Sequence, residues 1–257
     1  MNILFIGDIV GRPGRSFLKI RLKDIVAENK IDLVIGNGEN VAGGVGITKS
    51  TYEDLINSGV EIITMGNHTW SKKELIDFIE DAGSLVRPAN YPPGTPGKGY
   101  ILLKRKNSRI AVINLCGRVY MEAIDCPFRA VDNILEEIKD SADIVIVDFH
   151  AEATSEKQAL GWYLDGRVTA VLGTHTHVQT ADERILPKGT GYITDVGMTG
   201  PYDSILGVEK DIIIKKFLTV MPGKFEVAEG KVIFSGIVLE INEESKLKNI
   251  KRLKIIE

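Results

Sequence analysis

The sequence predicts an α/β fold of parallel strands joined by crossover helices, and three observations carry that expectation. Short β-branched runs alternate with amphipathic segments along most of the 257 residues. The runs at 3–6 (ILFI) and 144–149 (IVIVDF) read as buried strands. Short polar motifs follow directly on several strands, and in an open α/β sheet ligands bind outside the carboxyl ends of the strands.

Taken in order, Asn2–Ile6 is the first strand, and the apolar spacing of Phe17, Leu18, Leu22, Ile25 and Val26 predicts a helix from Arg15 to Glu28. Asp32–Ile35 reads as a strand, Lys49–Asn57 as a helix and Glu61–Met65 as a strand. Ser71 followed by Glu74 has the form of a capping box opening a helix to about Glu80. The Pro/Gly-dense stretch from Arg87 to Gly99 is a loop, too short for a domain linker. Tyr100–Leu103 and Arg109–Leu115 read as paired strands across a polar turn. Then come helix Ala130–Lys139, strand Asp143–Phe149, helix Thr154–Leu164 and strand Val168–Leu172. Beyond Gly189 the pattern is strand-rich, at Tyr192–Thr194, Lys224–Val227 and Lys231–Ile241, interrupted by a helical piece at Val208–Phe217. The expected organisation is a single domain over residues 1–257.

Composition narrows the function classes. Hydrophobic residues at 44% and charged residues at 26% disfavour disordered, fibrous and coiled-coil chains. A net charge of −3, a pI of 5.9 and the lack of any Lys/Arg run argue against long nucleic acid or an anionic membrane as the main partner. No apolar run approaches the 18 or so residues that span a bilayer, and the start of the chain lacks the pattern of a secretory signal. Cys116 and Cys126 have neither the spacing nor the histidine partners of a zinc site, so two free thiols in a cytoplasmic protein are expected. A homo-oligomer is compatible with these totals.

Five motifs carry the chemistry: Gly7–Asp8, GNGEN at 36–40, GNH at 66–68, Phe149–His150 and GTHTH at 173–177. The chain has four histidines, and all of them lie in these motifs. Imidazole with carboxylate and amide oxygens, and no thiolate, suits a hydrolytic site for manganese, iron or zinc better than structural zinc. His175 and His177 would share a face on a strand, or in a loop could reach two adjacent ions; a carboxylate at Glu39 could bridge them. Singly, each residue has an ordinary reading: Asp8 as a turn residue, Glu39 and Asn40 as loop polars, His150 as a hydrogen-bonded strand end. Their joint placement after strands is what departs from the ordinary. The glycines at 36–46 are not followed by a G-K-[ST] element, so a P-loop is rejected. Arg12 and Arg118 could meet a phosphate, and Trp70, Trp162 and Tyr192 a base, but solvation and core packing are their default roles.

In this order the motifs resemble the signature of calcineurin-like metallophosphoesterases, GDxH…GDxxD…GNH[DE]…H…GHxH, over residues 7–177. The wording GDIVGRPGR, GNGENVAGG, TMGNHTW, LGTHTHVQT and TDVGMTGP resembles the YmdB-type cyclic-nucleotide phosphodiesterase subgroup. The resemblance implies a four-layer α/β/β/α sandwich with the site on one sheet rim and the strand-rich tail completing the second sheet. It implies two divalent metal ions, iron or manganese ahead of zinc. Asp8 and His177 would hold the first ion, Asn67, His150 and His175 the second, with Glu39 bridging and His68 as the catalytic proton donor. The implied reaction is hydrolysis of 2′,3′- or 3′,5′-cyclic AMP by in-line attack of a metal-bridging water.

Three positions depart from the general signature. Val10 stands where a histidine ligand is usual, Glu39 where Asp is usual, and Thr69 where an acidic residue commonly follows the catalytic histidine. Asn40 is the oxygen donor expected to replace the missing imidazole. The alternatives are a phosphomonoesterase or nuclease on the same site, or a metal-containing regulatory binding protein. An intact His68 speaks against the last, since a pure binder needs no proton donor.

Overall fold

The computed structural model describes residues 1–257. Its strands are β1 (Asn2–Ile6), β2 (Asp8–Ile9), β3 (Leu33–Asn37), β4 (Ile62–Thr64), β5 (Leu85–Val86), β6 (Tyr100–Arg105), β7 (Ser108–Cys116), β8 (Ile144–His150), β9 (Ala170–Thr174), β10 (Arg184–Ile185), β11 (Gly191–Ile193), β12 (Met198–Pro201), β13 (Val232–Ile241) and β14 (Leu247–Ile256). The helices are α1 (Gly11–Glu28), α2 (Lys49–Ser58), α3 (Leu75–Phe78), α4 (Pro127–Ile138), α5 (Thr154–Tyr163) and α6 (Lys210–Thr219). No helix is long and apolar enough to cross a membrane.

Two mixed sheets form the centre. One runs β2-β12-β13-β1-β3-β4-β5, with β14 also paired to β13; the other runs β10-β11-β9-β8-β7-β6. The period-2 geometry of a strand explains why both sheets are apolar on both faces. On β1, Ile3 and Phe5 pack between the sheets while Leu4 and Ile6 pack outward under the helices. On β8, Ile144 and Ile146 face the first sheet while Val145, Val147 and Phe149 face outward. Leu18, Leu22 and Ile25 of α1 and Leu55 of α2 cover one outer face. Val131 and Ile134 of α4 and Leu160 of α5 cover the other. The result is the expected four-layer α/β/β/α sandwich.

β1, β3, β4 and β5 are mutually parallel, as are β7, β8, β9 and β11. Their carboxyl ends carry the polar motifs. The strand-rich tail divides between the sheets: β11 joins β9, whereas β12 and β13 pair with each other and β13 lies antiparallel to β1.

Two local expectations resolve differently, and one strand was not expected. The capping box lies at α2, where Thr48 Oγ1 accepts from Thr51 N (3.3 Å) and Thr51 Oγ1 accepts from Thr48 N (2.9 Å). Ser71 closes a 3₁₀ turn instead, and Glu74 Oε1 accepts from Lys49 N (3.1 Å) at the start of α2, where a carboxylate is favoured by the helix dipole. Lys224–Val227 is not a strand; only Val227 pairs, with Val208. β14 escaped the sequence reading because lysines at 248, 251 and 254 mask its alternation, yet it pairs with β13 from Ile256 to Leu247. Cys116 and Cys126 are both free.

Phe5 is fully buried between the sheets. Phe5→Ala is expected to cost about 3–5 kcal/mol, read from urea denaturation. A cost below about 1 kcal/mol would mean that the inter-sheet layer is loosely packed.

Candidate metal centre

Four side-chain atoms from four strand ends converge on one point. His150 Nε2 lies 3.1 Å from Glu39 Oε1, 3.0 Å from Asn67 Oδ1 and 2.9 Å from His175 Nδ1. Glu39 follows β3, Asn67 follows β4, His150 ends β8 and His175 follows β9. Neighbouring ligands about 3 Å apart suit an ion with bonds near 2.1 Å.

The partners of the far ring nitrogens decide where the lone pairs lie. Thr174 Oγ1 donates to Asp148 Oδ1 (2.7 Å), so it accepts from His150 Nδ1 (2.9 Å), and the neutral ring keeps its lone pair at Nε2. The Glu152 carboxylate accepts from His175 Nε2 at 3.0 Å, which leaves Nδ1 free toward the nest. His177 Nδ1 donates to Leu206 O (2.9 Å), which leaves Nε2 facing Asp8 Oδ1 at 3.9 Å. Three histidines, when neutral, thus aim lone pairs inward, each oriented by an outer acceptor, the arrangement found around bound metals.

Two buried oxygens complete the test of fit. Asp8 Oδ2 accepts from His175 N (3.1 Å), but Asp8 Oδ1 is buried without a hydrogen-bond partner. Asn40 Nδ2 donates to Gly44 O (3.1 Å), which fixes the amide and leaves Asn40 Oδ1 equally buried and unpartnered. Orphaned buried oxygens are rare and call for an explanation. Bound cations would satisfy such oxygens, so the residues present fit a divalent metal group. Val10, at the usual histidine position, is buried and packs on Gly200 and Gly207.

The electrostatics follow from burial. Burial opposes charge on His150, but the adjoining Glu39 carboxylate outweighs it and pushes the pKa up to about 9. Glu39, though buried, is held down to about 2 by His150. Burial pulls His175 down to about 3, and the charge of His150 acts in the same direction. Asp8 is raised by burial against the pull of His177 and His150. The carboxylates thus favour positive charge at this point, whether a proton on His150 or a metal ion in its place.

His68 stands beside the nest. Its backbone N donates to Glu39 Oε2 (3.1 Å), and its ring Nδ1 lies 3.4 Å from Ser71 Oγ. Thr69, in the position of the usual acidic neighbour, turns inward and donates to Gly66 O (2.6 Å). Ser71 takes up contact with the ring instead. Gly66 is required here, because a Cβ would collide with Glu39 Oε2 and the His150 ring.

All eight candidate residues therefore lie on one rim. Glu39, Asn67, His150 and His175 form the tight nest; Asp8, Asn40 and His177 adjoin it, and His68 flanks it. Sequence reasoning missed Glu152, Asp148 and Thr174, which orient the histidines, and Asp195. The Asp195 Oδ2 atom accepts from Thr176 N (3.0 Å), Thr176 Oγ1 (2.8 Å) and buried Lys157 Nζ (2.7 Å), and so anchors the His175–His177 loop from below. The TDVGMTGP stretch was the available signal for Asp195.

The layers and the rim site define a fold of the metallophosphoesterase type. The chain belongs to the family of YmdB-like proteins, whose sequence profile matches residues 4–253. A 2′,3′-cyclic-nucleotide 2′-phosphodiesterase of Bacillus subtilis (strain 168) is 56% identical over 246 residues, covering 96% of this chain and 93% of that protein. The crystal structure of a hypothetical protein from Thermus thermophilus superposes with a TM-score of 0.95 at 46% identity, covering 100% of both chains. That of a novel phosphatase from Mycoplasma pneumoniae gives 0.94 at 36% identity, covering 100% of this chain and 93% of the other.

Thr174→Val removes the hydroxyl that sets the His150 tautomer. It is expected to weaken Mn²⁺ binding about 10- to 100-fold by calorimetric titration. Unchanged affinity would show that the hydroxyl does not orient His150.

Proposed function

We propose that this chain is a metal-dependent phosphodiesterase that hydrolyses small cyclic nucleotides, 2′,3′-cyclic AMP foremost and 3′,5′-cyclic AMP as a further substrate. The chain is a hydrolytic phosphoesterase: its relatives carry phosphodiesterase and phosphatase names over nearly its whole length. The single observation that carries the metal-dependent reading is the nest of four inward lone pairs beside two orphaned buried oxygens.

In this reading Asn67, His150 and His175 would hold one divalent ion and Asp8, His177 and Asn40 the other, with the Glu39 carboxylate available to both. When bound, such a pair of ions supplies Lewis acidity at the phosphoryl oxygens and a nucleophile at neutral pH. The remaining work falls to the chain. The imidazoles, amides and buried carboxylates fix where the ions would sit, and so where on the rim an anionic phosphodiester would be held. His68, steadied through its backbone by Glu39 and at Nδ1 by Ser71, offers Nε2 as the proton donor. As water adds to phosphorus and a P–O bond to ribose breaks, the departing oxygen takes that proton. The imidazole is restored by the proton that the attacking water gives up.

The net charge of −3 favours a small diester over a long nucleic acid. Monoester hydrolysis is the second reading, favoured by the Mycoplasma pneumoniae relative described as a phosphatase.

His68→Ala is expected to lower kcat about 10²- to 10⁴-fold while metal analysis still finds about two ions per chain. Loss of metal would make His68 a ligand and overturn its assigned role. Asn40→Ala is expected to weaken one metal site and spare the other. Equal affinities in the variant and the parent protein would show that the amide oxygen is not a ligand.

A further inference from the structure

The carboxyl ends of β3, β4, β8 and β9 supply the nest and Asp8 after β1 adjoins it, but the loop after β7 supplies nothing to it. That loop lies on the same rim. Cys116 at the end of β7 is in register with His150, and Gly117 N donates to His150 O at 2.9 Å.

Three residues beyond Gly117, within a chain reach of about 11 Å, stands Tyr120. Met121 N donates to Arg118 O (3.3 Å), closing a β-turn with Tyr120 at its third position and φ of 62°. A turn with positive φ at that position calls for glycine or asparagine. The turn is nonetheless firmly held. The buried Glu156 carboxylate of α5 accepts from Arg118 N (3.1 Å) and from Val119 N (3.2 Å).

The Tyr120 side chain gains nothing from packing, since the residue is 90% exposed, the most exposed aromatic of the chain. Glycine would serve the fold better here. A non-glycine residue held in this conformation beside a site is a place to look for a functional constraint. The other candidate aromatics are engaged. Trp70 packs edge-on to Tyr91, with centroids 6.1 Å apart, and Trp162 has the Arg184 guanidinium over its ring.

We propose that Tyr120 is the stacking platform for the nucleobase, and so the residue that makes the site prefer a cyclic nucleotide to other cyclic phosphodiesters. This rests on the phosphodiesterase reading given above. A phosphodiester seated at the nest would carry its ribose and base over the neighbouring loops, and the β7 loop on the same rim bears an exposed aromatic ring. Stacking needs only that face and accepts any base.

The test is steady-state kinetics of the metal-loaded parent, Tyr120→Ala, Tyr120→Gly and Tyr120→Phe proteins. The substrates are 2′,3′-cyclic AMP and glycerol 1,2-cyclic phosphate, which keeps the cyclic diester and lacks a base. The Ala and Gly variants are expected to raise KM for the nucleotide about 5- to 150-fold. Their kcat should stay within about twofold of the parent, and their kinetics on the baseless diester should not change. The Phe variant should behave as the parent, and the Gly variant should melt no lower than it, because glycine relieves the positive φ. Equal effects on both substrates, or no effect on either, would overturn the platform. So would a change in sedimentation without a change in KM, which would make Tyr120 part of an interface between copies. A parent protein that hydrolyses neither diester would bring down the phosphodiesterase reading and the platform with it. A parent that hydrolyses both, with Tyr120→Ala silent, would bring down the platform alone.

Discussion

The structure turns on one buried carboxylate, Asp148. It sits on β8 in the six-stranded sheet, with no exposure to solvent. It accepts from Thr174 Oγ1 of the adjacent strand (2.7 Å), and from Thr64 Oγ1 (2.5 Å) and Asn37 Nδ2 (3.0 Å) of the opposite sheet. Burial pushes its pKa up to about 6 against the pull of His150 and these three donors. A carboxylate so placed is tolerable only if its lone pairs are met, and the donors that meet them come from both sheets. The same contacts that dock the sheets at the rim therefore set the Thr174 hydroxyl, and through it the His150 ring. Docking and site assembly are one event.

Around that hub the backbone accepts strain in exchange for position. His175 and His177 have φ of 106° and 64°, in a region that side-chain-bearing residues seldom enter. They persist there because their loop is tied on several sides, by Asp195 through Thr176, by Asp8 at the His175 N–H and by the Leu206 carbonyl at His177. Gly173 makes the arrangement possible from beneath, since any Cβ there would collide with Thr194 O. Residue 194 must come that close for Asp195 to reach the loop. The buried Lys157–Asp195 pair then resists disruption, because removal of either partner would strand a charge in the interior.

Much of this was readable from the chain alone, for a physical reason. Strand periodicity and helix spacing are local, so β1, β3, β8, α1 and α5 fall where their apolar patterns place them. The motifs were legible because ligand chemistry restricts residue type: histidine, carboxylate and amide after a strand have few other uses in such number. What failed was local evidence with a distant competitor. Ser71 and Glu74 have capping-box spacing, yet the Glu74 carboxylate finds the N-terminus of α2 and Ser71 finds His68. β14 looked polar because an edge strand can carry exposed lysines and still complete a ladder.

The sequence by itself determined the α/β class, the order of the rim motifs and the residue types offered to a metal, since each depends on short-range pattern or side-chain chemistry. Only the tertiary structure decided which atoms meet. It turned Val10 into a packing residue on Gly200 and Gly207, left Asp8 Oδ1 and Asn40 Oδ1 without donors, and gave each of the three inward histidines its outer partner at Thr174, Glu152 or Leu206. Thr174 lies 24 residues along the chain from the histidine it orients, and Leu206 lies 29. Such roles arise when the parallel strands of two sheets bring their carboxyl ends to the same rim, and no local pattern encodes that meeting.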